Sequence, residues 1–126
     1  MVNDSVIQRL QELGELLSCA LDSEFNSLKE RDMRGVEEQQ ARKVALLEEI
    51  LSHWERLPMD WKNGELGDER FNIVKTSLKS CKEKHERNDI VLRRQIDEVK
   101  TLLDNLQTQK SKSRSDVYNK MGKIIS

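Results

Sequence analysis

Cys81 and His85 stand four residues apart, a spacing that puts a thiol and an imidazole on one face of a helix. Both groups bind metals, but structural zinc takes four protein ligands. His53 and Cys19 lie far away in sequence. The expectation is therefore no metal site, with His85 and Asn88 forming a polar layer in a helical seam, where such residues fix register. Cys19 and Cys81 are expected to be a pair of buried thiols, free Cys being among the most buried residue types. Nothing in the sequence indicates the oxidising compartment that a disulfide would need. The acidic pairs Glu37-Glu38 and Glu48-Glu49 alternate with basic residues and read as solvated ion pairs on exposed helix faces. No Gly-rich phosphate loop is present, nor a Ser or Cys nucleophile beside a recognisable base. The sequence predicts no enzyme, no catalytic residue and no cofactor.

The elements that carry these residues are helices. From Asp68 to Gln107 a seven-residue repeat runs through Phe71, Val74, Leu78, Cys81, His85, Asn88, Leu92, Gln95, Val99, Leu102 and Leu106. No Pro or Gly falls between Gly67 and Gly122. The repeat predicts one amphipathic helix of about 39 residues, roughly 58 Å long at 1.5 Å per residue. Such a helix cannot bury its stripe against itself.

The rest of the 126 residues must supply partners. Charged residues make up 36% and aromatics 4%, with one Pro and five Gly. That composition favours long helices over a sheet-based enzyme fold. The thin seam of Leu, Ile and Val it allows leaves little room for a deep catalytic pocket. Asn3, Asp4 and Ser5 can cap a first helix carrying Ile7, Leu10, Leu13, Leu17, Leu21, Phe25 and Leu28, widened by Leu16 and Ala20. Gly14 inside it would let another helix approach closely. Asp32 is the cap for a second helix, which carries Met33, Val36, Gln40, Val44, Leu47, Leu51 and Trp54 and ends at Pro58. Pro58–Gly67 is a loop, with Trp61 expected to cover an open end of the bundle. Asp68 caps the third helix.

The expected fold is all-α: an elongated antiparallel three-helix bundle or coiled coil, with helices over about 4–30, 33–57 and 69–107. In an up-down-up arrangement the third helix outruns the other two by about 18 Å. Its far part would carry Leu92, Ile96, Val99, Leu102, Leu103 and Leu106, an apolar stripe without a partner in the chain and hence an interaction surface.

Residues 108–126 are expected to be a flexible polar tether ending in a short amphipathic hook. Gln107–Asp116 has no apolar residue, and Val117, Tyr118, Met121, Ile124 and Ile125 then return at helical spacing. A tether with such a hook suits peptide recognition; docking of the hook back on the third helix is the alternative. From Gln107 to Ser126 five basic residues and one acid give +4, leaving −5 on the first 106. A tail with five cations and one Tyr is a weak signal for nucleic acid, and none is expected as a partner. The amino-terminal residues lack a signal pattern, and no apolar run approaches the ~18 residues that span a bilayer. A cytoplasmic protein without stable membrane insertion is expected.

Four segments carry a resemblance. They are Leu28-Lys-Glu-Arg-Asp-Met, Lys43-Val-Ala-Leu-Leu-Glu-Glu-Ile, Cys81 with Glu86-Arg-Asn88-Asp-Ile-Val-Leu92, and Val117-Tyr118-Asn-Lys-Met-Gly122. Together they look like the FlgN-type flagellar export chaperones, small antiparallel helical proteins with a mobile C-terminal region. The resemblance implies a type III export chaperone of the bacterial flagellum. It would bind helical C-terminal segments of hook-filament junction proteins, keep them unassembled and deliver them to the export gate. On that reading Leu92, Ile96, Val99, Leu102, Leu103 and Leu106 meet the client, and Val117, Tyr118, Met121 and Ile124 dock to the gate. The protein would be a monomer or weak homodimer. The residues themselves leave open a second reading, a structural coiled-coil module that self-associates through the same stripe.

Overall fold

The computed structural model describes the backbone of residues 2–58 and 69–125, and the side chains of residues 4–58 and 69–108. Its elements are α1 (Val2–Lys29), α2 (Met33–Glu55) and α3 (Glu69–Ile125). Among the described residues there is no strand. The described residues form an all-α three-helix bundle in which α1 packs on both α2 and α3.

The break between α1 and α2 is real and tight. Asp32 N donates to Ser27 O at 2.8 Å and Arg31 N to Leu28 O at 3.1 Å. That pair of bonds is a Schellman motif, which satisfies the last carbonyls of a helix. The residue in the left-handed position is Arg31, at φ 58°. Asp32 then caps α2, its Oδ1 accepting from Gly35 N at 3.1 Å. α2 ends at Glu55, and Arg56 and Leu57 add a tighter turn before Pro58. Asn3, Asp4 and Ser5 do not cap α1, which already starts at Val2. Asp4 is spent elsewhere, accepting from Arg70 Nη2 on α3 at 2.6 Å. The remainder of the Pro58–Gly67 loop, with Trp61, and the expected cap Asp68 lie outside the described residues.

α3 does not stop near residue 107. Its backbone stays helical through the polar stretch to Ile125. Composition that forbids burial does not forbid a helix: Gln, Lys and Arg are good helix formers, and no Pro interrupts them. The chain divides into two compact units, Met1–Ile90 and Val91–Ser126.

In the first unit the core follows one face of α1: Val6, Ile7, Leu10, Leu13, Leu17, Ala20 and Leu21 are buried with Phe71, Val74 and Cys81 of α3. At Gly14 the two helices touch; a Cβ there would lie 2.7 Å from Ser77 Oγ. The Cys81 thiol donates to the Gly14 carbonyl at 3.5 Å. α2 closes the other side with Val36, Leu46 and Ile50, and Leu57 is buried just beyond it. Trp54 stacks on Phe71, ring centroids 5.6 Å apart.

Of the stripe expected on α2, Val36 is buried and Trp54 packs on the core, but the middle of the helix uses a different edge. Met33, Val44, Leu47 and Leu51 are exposed, and the core is reached through Leu46 and Ile50 instead. The apolar arc of α2 is wider than one contact needs, so one edge of it stays in solvent.

Candidate functional site

Three features of the surface and core carry possible function. The first is the apolar face of α3 in the unit Val91–Ser126. Ile96, Val99, Leu102, Leu103 and Leu106 are 47–58% exposed, and Leu92 is half-buried. All six share the heptad face, so they form a continuous apolar strip about 21 Å long. Lys100, Asp104 and Gln107 border it. Val117, Tyr118, Met121 and Ile124 also lie on α3, but their side chains are outside the described residues.

The second feature is a polar cluster where α1, α2 and α3 meet. Asn88 is 1% and Glu24 3% exposed. Asn88 Nδ2 donates to Leu21 O at 2.8 Å and to Glu24 Oε1 at 2.9 Å. Lys43 of α2 closes the cluster with Nζ 3.1 Å from Glu24 Oε2. Beside it, Lys84 and Arg87 of α3 reach Asp22 of α1 at 2.8 and 3.3 Å. The Lys84 hydrogen bond, helped by Arg87, lowers the Asp22 pKa below its ordinary value. Arg87 also lies over the Phe25 ring at 4.0 Å and donates to Asn88 Oδ1 at 3.1 Å.

This cluster corrects the expected polar layer. Asn88 is in the seam, but His85 is exposed and makes only an edge contact, Nδ1 3.4 Å from Lys43 Nζ. The buried partner of Asn88 is Glu24, which sequence reasoning missed. A signal was present: Glu24 stands three residues after Leu21 and four before Leu28, at a seam position. An apolar template passes over an acid there. The cysteines divide in the same way, with Cys81 buried and Cys19 exposed, both free. Burial raises the Cys81 thiol pKa. Among the described residues no cluster of three or more His, Cys, Asp or Glu could hold a metal.

The third feature is a cleft of about 360 Å³ in the unit Met1–Ile90. Leu17, Leu21, Ile50, Leu78 and Cys81 supply its apolar floor, and the exposed Leu47 forms one rim. Lys82 and His85 of α3 form the other, with Lys43 between. Neither this cleft nor its rim was anticipated from sequence, because it exists only where the exposed edge of α2 faces α3.

Among the described residues, no helix is long and apolar enough to cross a membrane. The chain's arrangement is set out by its own residues alone: no protein family, no curated protein and no solved structure matches it.

Proposed function

We propose that this protein is a non-catalytic chaperone that holds an amphipathic helix of a client protein on the 92–106 face of α3. The observation that carries the reading is the exposure of Ile96, Val99, Leu102, Leu103 and Leu106 on one helix face. Large apolar side chains in a contiguous exposed strip mark interaction sites, and a strip four turns long fits one helix docked by its own i, i+3, i+4, i+7 anchors. Covering roughly 500 Å² of apolar surface gives about 12 kcal/mol gross at ~25 cal/mol per Å². Ordering the client and losing its translational freedom remove much of that. Reversible binding in the micromolar to nanomolar range follows, as a hand-over protein needs.

The resemblance to FlgN-type chaperones adds the client class and nothing else does: C-terminal helical segments of hook-filament junction proteins, held in the cytoplasm before export. On the same ground, Val117, Tyr118, Met121 and Ile124 are proposed to dock to the export gate.

The test is light scattering after gel filtration, across a concentration range, with and without a junction-protein C-terminal segment. A monomer that becomes a one-to-one complex is expected. Leu103→Glu should weaken the complex, whereas Tyr118→Ala should leave it intact and weaken only gate docking. Client binding that survives charges at both Leu103 and Leu106 removes this face from the proposal. A dimer indifferent to the segment selects self-association through the heptad positions Leu92, Val99, Leu102 and Leu106.

A further inference from the structure

The cleft between α2 and α3 is independent of the 92–106 face and lies wholly within the unit Met1–Ile90. Its α2 rim continues along the helix as Val44, Leu47 and Leu51, 46–57% exposed at spacings of three and four. This is the edge left uncovered when Leu46 and Ile50 turned to the core. α2 and α3 touch at Trp54–Phe71 and Lys43–His85, and a further helix is the shape that packs along the groove between two neighbouring helices.

Charge decides what kind of helix fits. Residues 1–90 contain nineteen acids and fourteen basic residues, so this unit is acidic overall. The described residues lining the cleft nevertheless include no carboxylate, but do include Lys43, Lys82 and His85. Lys43 is already answered by Glu24 at 3.1 Å. Lys82 is exposed and makes no ion pair among the described residues. Lys75, also exposed, stands two turns earlier on the same edge of α3, its Nζ 5.7 Å from the Phe71 ring centroid. The two lysines are thus about 10.5 Å apart along the helix. The lining of the cleft itself is thus basic, while carboxylates stand beyond it: Glu48 between Val44 and Leu51 on α2, and Glu86 and Asp89 past Lys82 on α3.

We infer that this groove is a second docking surface, for an amphipathic helix of a partner protein whose apolar stripe is flanked by acidic residues. The apolar stripe of that helix covers Val44, Leu47 and Leu51 and fills the cleft. Acids seven residues apart on its flank meet Lys75 and Lys82. Complementary charge of this kind fixes orientation and selects the partner more than it adds affinity.

The test uses the full-length protein and two labelled helical peptides with the same leucine stripe, one with Glu flanks and the other with Lys flanks, read by fluorescence anisotropy. The Glu-flanked peptide should bind at least about tenfold more tightly than the Lys-flanked one, the ratio that one well-placed charge pair of ~1.4 kcal/mol provides. Leu47→Gln should abolish binding, and the double change Lys75→Glu with Lys82→Glu should reverse the preference between the peptides. Leu47, Lys75 and Lys82 are exposed, and a thermal melt confirms that each variant folds. All of these measurements are made in the Leu103→Glu background, which removes the client face and leaves the groove as the surface being read. Equal binding of both peptides, or of neither, overturns the inference. So does binding retained in Leu47→Gln. A self-dimer that dissociates on Leu47→Gln would show that the occupant is a second copy, and would overturn the partner proposed here.

Discussion

The same heptad has two fates along α3. From Phe71 to Asn88 its seam positions are largely buried against α1, and Phe71 and Val74 are fully covered. From Ile96 to Leu106 equally large side chains stand about half in solvent. Periodicity therefore reports that a helix has an apolar face. It does not report whether that face is covered, which depends on what else the chain brings to it.

The contrast can be broken most sharply by truncation. Phe71→Ala removes a buried ring stacked on Trp54 and should cost about 3–5 kcal/mol in denaturant unfolding. Leu106→Ala, on the exposed stretch, should change stability by less than about 0.5 kcal/mol. Similar losses at both positions would mean that the exposed stripe is covered in solution.

Next in size is the buried cluster. Glu24→Ala leaves Lys43 without its counter-charge and Asn88 with one acceptor fewer. A loss of about 2–4 kcal/mol is expected. Replacing the pair together, Glu24→Leu with Lys43→Met, should recover most of it, because a buried ion pair is often no better than apolar packing of similar volume. If the double variant is as unstable as the single, the carboxylate holds register through Asn88 and the ion pair is secondary.

Arg31→Gly should stabilise the bundle by about 1 kcal/mol, since glycine adopts the left-handed conformation without steric cost. A loss instead would show that the Arg31 side chain contributes contacts that outweigh its backbone strain.

The smallest effect is a pH dependence. The folded-state pKa of Asp22 is lowered by Lys84 and Arg87, so its contribution is present above the ordinary carboxylate pKa. That contribution fades as pH falls through the unfolded value towards the folded one. Half of the Asp22 side chain is exposed, which keeps the effect modest. Asp22→Asn should be slightly less stable than the parent at neutral pH, and the difference should vanish in acid. A gap that persists in acid would assign the effect to packing.

Much of the fold was legible because its signals are local. The break at Arg31–Asp32 was visible in the Asp32 cap, and the three helices in their apolar spacing. The choice of edge on α2 was not legible. Its apolar residues run from Leu46 through Ile50 to Leu47, Leu51 and Val44, and two different stripes at helical spacing can be drawn through them. Only the packing of α1 and α3 selects one. The end of α3 was misjudged for a related reason: a polar segment that cannot bury anything was read as one that cannot be helical. The candidate site divides in the same way. The 92–106 face was read directly from the heptad. Glu24 and the α2–α3 cleft depend on which side chains meet across helices.

The unequal placement of the two thiols gives the molecule a built-in clock. Cys19 is open to solvent, so an alkylating reagent reaches it in the folded protein. Cys81 is covered, its thiol engaged with the Gly14 carbonyl and its ionisation opposed by burial. It lies in the floor of the cleft and is alkylated slowly, as the helices around it open. The fast phase of thiol labelling then counts molecules, and the slow phase times the opening of the bundle without any introduced probe. A bound helix that fastens α2 to α3 over the cleft would lengthen the slow phase and leave the fast one untouched.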